Sequence, residues 1–195
     1  MVDSPGVLQS MSEAVFLPQL ASWLRSDTHR WAALQHAAAL GLPDWCIAAG
    51  FVRNLAWDKL HGHAENTPLA DIDLIYFDAA DCSSERDHVL EAALTRSAPQ
   101  YDWSVKNQAR MHLRNHDAPY RDSVDAMSYW VSEEDAVAVR LEADGSLRWL
   151  GAFGIDKLQL LQITLNHKRP KHDDFERRIR DKGWLQRWPL LRVVR

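Results

Sequence analysis

The sequence predicts an α/β (α+β) fold, a β-sheet with helices packed on it. Three stretches carry that prediction. Asp71-Ile72-Asp73-Leu74-Ile75-Tyr76-Phe77 is short, β-branched and aromatic, the pattern of a buried strand. Residues 45–49 form a second apolar run, closed by Gly50 and followed by a helix-like segment over 51–60. Residues 101–112 alternate: Trp103, Val105, Ala109 and Met111 share one face, and Asp102, Ser104, Lys106, Gln108, Arg110 and His112 share the other.

The 195 residues suffice for one domain with a real core, and they predict a single unit over 1–195. No apolar run is long enough to span a bilayer. The N-terminus lacks a signal peptide's basic start and apolar core, which predicts a cytoplasmic protein. Cys46 and Cys82 have no CxxC partner, so neither a zinc site nor a disulfide framework is indicated. Nine tryptophans read as core or interface anchors. The net charge is −4, unevenly spread. Residues 167–195 hold ten Lys and Arg against four Asp and Glu, a local +6, which leaves −10 elsewhere. An acidic body argues against extended nucleic-acid binding. The basic tail reads as a solvated helix face, or as a contact for a phosphate or a short RNA segment.

In chain order, residues 1–10 read as a disordered leader and 11–41 as a helical addition. Its first helix covers 11–25, with Pro18 marking a possible true start. Ser26-Asp27-Thr28 caps a second helix over 31–40, which Gly41 and Pro43 end. After the strand over 45–49 and the helix over 51–60, residues 61–68 form a loop. Its His61, His63 and Glu65 suit a mobile flap better than a metal site. A helix over 85–96, the alternating strand and a short helix over 122–130 follow. Residues 136–141 and 147–150 flank Asp144-Gly145 as a β-hairpin. Helical segments begin at Phe153 and at Asp173, the second with Phe175 and Ile179 inward.

The chemistry centres on the first stretch. Residues i and i+2 of a strand share a face, roughly 6–7 Å apart. Asp71 and Asp73 therefore stand side by side, where mutual repulsion raises their pKa values unless a cation joins them. Mg²⁺ or Mn²⁺, hard ions that take oxygen ligands, suit the pair; D-x-D by itself is common by chance, and taken alone it favours Asp71 as a strand cap and Asp73 in an ordinary hydrogen bond. Gly50 lets a phosphate approach the backbone at the head of the following helix; alone, it is also an ordinary tight turn. Asp102, Lys106 and Arg110 give the alternating strand a polar face, which serves either water or a triphosphate and its metal.

The order of strand, Gly50, helix and Asp71-x-Asp73 resembles the DNA polymerase β-type nucleotidyltransferase superfamily. Several blocks resemble a bacterial nucleotidyltransferase-like family of unknown function within it. They are Leu42-Pro43-Asp44-Trp45, Ala49-Gly50-Phe51-Val52-Arg53-Asn54, Asp71-Ile72-Asp73, the run 103–112, Pro119-Tyr120 and Phe153-Gly154. The likeness covers residues from about 28 onward. It implies a mixed sheet with packed helices and Mg²⁺-dependent transfer of a nucleoside monophosphate from NTP to a hydroxyl acceptor. Asp71 and Asp73 would hold metal, with Asp102 as third acid or base. Gly50, Phe51, Arg53, Asn54, Lys106, Asn107 and Arg110 would contact substrate. The chain departs from the superfamily where Phe51 follows Gly50, in a long gap from Gly50 to Asp71, and in lacking an obvious third carboxylate. Those departures motivate a second reading, a non-catalytic nucleotide-binding or protein-interaction module. A phosphodiesterase-type hydrolase is a third.

Overall fold

The computed structural model describes residues 12–195. The expected leader, 1–10, lies outside them. Helix α1, Glu13–Ser26, starts on the Ser12 carbonyl and runs through Pro18. Asp27 caps α2, Thr28–Ala38, by accepting from the Arg30 N–H at 2.9 Å. Strand β1, Cys46–Ala48, leads into α3, Gly50–Leu60. Strand β2, Asp71–Tyr76, α4, Ser84–Ser97, and β3, Asp102–Asn107, follow. These three form a right-order strand–helix–strand unit, because β2 and β3 pair in parallel.

The alternating run ends as a strand at Asn107, not at His112. The Asn107 side chain accepts from the N–H groups of Asp78 and Ala109 and donates to the carbonyls of Asp78 and Asp81. That clamp turns the backbone into a 3₁₀ turn, Gln108–Arg110, and α5, Met111–Asn115. The alternation beyond 107 exists only in the sequence. Helix α6, Ser123–Met127, is capped by Asp122. Strands β4, Val137–Leu141, and β5, Leu147–Gly151, make the expected hairpin, with Gly145 at φ 81°.

The five-stranded mixed sheet has the order β3-β2-β1-β4-β5. One face buries Ile47, Ile72, Leu74, Trp103, Val105, Val137 and Val139 against Phe16, Leu20, Leu24, Leu34 and Leu55 of the helices. Helices α1 and α2 thus share the sheet's core. The other face carries small residues, Cys46, Ala48, Ala136 and Ala138, which let α6 and Met127 approach closely.

The C-terminal segment holds two elements absent from the sequence reading, β6, Gln162–Thr164, and β7, Arg192–Val194, paired in parallel. Between them the expected last helix is two, α7, His172–Asp181, and α8, Trp184–Arg187, broken at Gly183 with φ 61°. Phe175, Ile179, Trp184 and Trp188 pack with Trp57 of α3 into a separate apolar cluster. Among the described residues, no helix is long and apolar enough to cross a membrane.

Buried Asp87 of α4 accepts from the Tyr76 hydroxyl at 2.7 Å and the Asn107 N–H at 3.1 Å, and pairs with Arg110 at 2.5 Å. Asp87→Ala strands all three partners. It should lower stability in urea denaturation by roughly 3 kcal/mol, the scale of a broken buried ion pair. A loss under about 1 kcal/mol, the worth of one ordinary hydrogen bond, would contradict that role.

Candidate active site

The β1–β2 register sets Cys46 opposite Ile75 and Ile47 opposite Leu74. One further antiparallel step sets Ala48 toward Asp73, and Gly50 and Asp71 line the same cavity just beyond the strand's end. The glycine turn and the acidic pair therefore meet at one end of the sheet. Ala49 makes the turn with φ 54° and ψ −120°, a conformation that favours glycine. It is held by its N–H donating to the Val137 carbonyl at 2.8 Å, and its own carbonyl accepts from the N–H groups of Val52 and Arg53. The N–H groups of Gly50 and Phe51 then head α3 with no preceding turn to supply acceptors. A Cβ at Gly50 would lie 3.3 Å from Asn54 Nδ2. The two-residue turn is thus Ala49-Gly50, one position earlier than Gly50-Phe51. The Phe51 ring points into the core.

Asp71 and Asp73 lie on the same face of β2, away from the apolar core. Neither accepts a hydrogen bond or joins an ion pair with any described residue. Burial, and then the neighbouring Asp71 charge, push the Asp73 carboxyl above its ordinary value, while Arg178, Lys182 and Arg53 pull the other way. Asp73 is half-buried and Asp71 exposed; a carboxylate partly withdrawn from water without a donor is costly, and a cation shared by the pair offsets that cost. Among the described residues no three His, Cys, Asp or Glu side chains cluster as a complete metal cage. Two carboxylates with substrate oxygens and water suit Mg²⁺, which rarely takes an all-protein shell.

Two cavities meet at Asp73, Ala49 and Arg178. The narrow one, about 110 Å³, also borders Gly50, Arg53, Asn54, Asp71, Lys182 and Arg187. The wide one, about 410 Å³, borders Ser104, Lys106, Arg114, Arg169 and Lys171. Buried Asp135 joins their walls, since it pairs with Arg53 of α3 and, at 3.1 Å, with Arg178 of α7. Arg53 is further held by Asn54 Oδ1 at 2.9 Å and lies 4.4 Å from the Trp184 ring centroid. Burial, and then Arg178, lower its guanidinium to about 9, so it stays a cation at neutral pH.

Loop 61–68, expected as a flap, is anchored at His61, His63 and Thr67, and its Thr67 and Pro68 line the narrow cavity. Fully buried Asp58 accepts from Thr67 N–H at 2.6 Å, Thr67 Oγ1 at 2.7 Å, Trp188 Nε1 at 2.8 Å and His63 Nδ1 at 3.1 Å. His61 Nε2 accepts from the Leu190 N–H, which leaves Nδ1 to donate to the Trp57 carbonyl.

The expected site residues thus divide. The structure brings Asp71, Asp73, Gly50, Arg53 and Asn54 to one cavity and Lys106 to its neighbour, with the Lys106 ammonium 3.5 Å from Glu91. Asp102 is opposite Asp71 in the parallel register but exposed, and it borders neither cavity; Ser104 stands beside Asp73 instead. Asn107 and Arg110 are spent on the Asp87 clamp behind the sheet, and Phe51 offers only its backbone. Arg178, Lys182, Arg187, Lys171 and Asp135 were not singled out from the sequence, although the +6 tail carries four of them.

A family model described as "Nucleotidyltransferase" matches residues 35–193. The chain belongs to that family. A solved NMR structure described as revealing a CCA-adding enzyme head domain is similar, with 30% identity and a TM-score of 0.79, over 90% of this chain and 94% of that one. A CCA-adding enzyme in complex with CTP shares the fold, with 15% identity and a TM-score of 0.60 over 90% of this chain. A tRNA-processing enzyme complex shares it too, at 18% and 0.52 over 83%. This nucleotidyltransferase spans only 43% and 42% of those two longer chains. No curated protein sequence matches it.

A carboxyl raised in the folded state binds its proton more tightly there than when unfolded. Its charge therefore costs stability above the folded value, and the cost fades as pH falls toward 3.8. Without ligand at pH 7, Asp73→Asn should raise the melting temperature by about 2–4 °C, the shift that 1 kcal/mol makes at this chain length. The gain should shrink on acidification. A lower melting temperature at pH 7 would mean that Asp73 is already satisfied by the protein. Ala49→Gly should be neutral or stabilising by up to about 1 kcal/mol in urea denaturation, because it relieves the positive φ.

Proposed function

We propose that this chain is a cytoplasmic, Mg²⁺- or Mn²⁺-dependent nucleotidyltransferase that moves a nucleoside monophosphate from NTP to an acceptor hydroxyl. One observation carries the reading: two carboxylates on one strand face, without a hydrogen-bond or ion-pair partner among the described residues, lie against a helix-heading glycine turn and a bank of cations. Asp71 and Asp73 hold the metal, which when bound draws charge from phosphate oxygens. The N–H groups of Gly50 and Phe51 receive phosphate oxygens at the positive end of α3. Arg53 and Arg178, fixed by Asp135, face the charge that develops on the leaving pyrophosphate, with Lys182 and Arg187 at the rim. Asn54 keeps the Arg53 guanidinium oriented. Ser104 in place of a third acid leaves the metal shell to two carboxylates and substrate oxygens.

The family match supports nucleotidyl transfer in general, and a relative in complex with CTP supports an NTP as donor. In this reading residues 1–195 work as one unit, with α1 and α2 of the expected helical addition backing the sheet. The acidic body favours a short acceptor over an extended nucleic acid.

Calorimetry with Mg·NTPs and an assay for released pyrophosphate test the proposal together. The unaltered chain should bind at least one Mg·NTP, and Asp73→Asn should weaken that affinity by at least about tenfold, as losing a metal-shell group does. Equal affinity in both proteins would remove the metal role of Asp73. Tight binding with no pyrophosphate release across acceptors would favour the non-catalytic module. Release of NMP on water alone would favour the hydrolase.

A further inference from the structure

Asp73 divides the site into unequal halves. The narrow cavity holds what a metal-bound triphosphate needs: Asp71, the Gly50 turn and Arg53. The wide cavity shares Asp73, Ala49 and Arg178 with the narrow one but borders neither Asp71 nor Gly50. In nucleotidyl transfer the attacking oxygen and the leaving oxygen stand roughly in line on opposite sides of phosphorus. A triphosphate seated in the narrow cavity therefore receives its acceptor from the wide one.

The lining of the wide cavity describes that acceptor. Lys106, Arg114, Arg169, Lys171 and Arg178 border it, against the two carboxylates Asp73 and Asp135. This is a positive recess in a protein of net charge −4. Three of the five cations have partners: Lys106 with Glu91, Arg169 with Asp117, and Arg178 with Asp135. Arg114 and Lys171 pair with no described residue. Tyr129 and Trp130 add flat apolar surface. About 410 Å³ lies within the range of small-molecule sites.

We propose that the wide cavity binds a small acceptor alcohol that already carries a phosphate ester, held by Arg114 and Lys171, with its hydroxyl turned toward Asp73. This rests on the nucleotidyltransferase reading. The acceptor oxygen bonds to the α-phosphorus. The bond from that phosphorus to the oxygen bridging the β-phosphate breaks, its electron pair leaving with pyrophosphate. The hydroxyl proton passes to water in the open cavity.

The full chain is saturated with a Mg²⁺ complex of a nonhydrolysable NTP. Calorimetric titration then compares ribose 5-phosphate and glycerol 3-phosphate with ribose and glycerol, with a short RNA as a further arm. At least one phosphate ester should bind about tenfold or more tighter than its parent alcohol, about 1.4 kcal/mol. Arg114→Gln combined with Lys171→Gln should abolish that preference and leave Mg·NTP affinity within about twofold. Lys182→Gln should do the reverse. No ester binding to the saturated chain would overturn the proposal. So would loss of Mg·NTP affinity in the Arg114/Lys171 variant, which would assign the wide cavity to the nucleotide itself. RNA binding without ester binding would move the phosphate to a polynucleotide end and overturn the small-acceptor assignment. Failure of every Mg·NTP to bind the unaltered chain would overturn the transferase reading, and this one with it.

Discussion

Two carboxylates that no described residue hydrogen-bonds or pairs with directly are the constraint around which this structure is built. Asp71 and Asp73 share a strand face, and burial works against the charge of Asp73. Such an arrangement persists only where the surrounding fold over-determines it. Here the determinants are backbone ones. The antiparallel register with β1 fixes where the strand's mouth lies. The left-handed Ala49 closes β1 so tightly that α3 begins beside the acids. The cations that answer the pair come from elsewhere in the chain, through α3 and α7, and meet on Asp135.

The polar groups that support the site are satisfied, whereas Asp71 and Asp73 have no partner among the described residues. Asp58 receives four donors and joins the 61–68 loop to Trp188. Asp87 ties β2, β3 and the turn after β3 together behind the sheet. Arg30 links the Asp27 cap of α2 to the Phe51 carbonyl at 2.9 Å, and so braces the first turn of α3 from the core side. Buried charges of this kind are tolerable because each is hydrogen-bonded, and Asp87 and Arg30 are ion-paired as well. They keep the turn and loop rigid while the acids stay open to a ligand, which is the preorganisation that phosphoryl chemistry rewards.

Much of this was legible in residue types. The apolar run after Asp71, the glycine after residues 45–49 and the Asp144-Gly145 turn each depend on local chain geometry, which sequence records directly. So does the parity that pairs Asp71 with Asp73. The third strand is shorter than its alternation predicts, because alternation does not register a side chain that bonds its own backbone; Asn107 ends the strand while Ala109 and Met111 keep the rhythm. Asp102 matched by parity, yet its register sets it against Asp71 at the exposed end and gives Asp73 a serine neighbour. The contribution of Arg178, Lys182 and Lys171 was hidden for another reason. Their approach to the acids follows from Trp184 and Trp188 docking on Trp57, more than a hundred residues away in sequence, which charge counting alone does not reveal.

The family match and the 30%-identical head-domain structure agree with this fold. The central claim is that Asp71 and Asp73 together hold one divalent cation. Anomalous diffraction from crystals grown with Mn²⁺ and a nonhydrolysable NTP measures this most directly. The account predicts a manganese peak bridging the two carboxylates, with phosphate oxygens completing the shell beside the Gly50 turn. A peak bound by other residues, or nucleotide phosphates ordered in the crystal with no metal between Asp71 and Asp73, would contradict it.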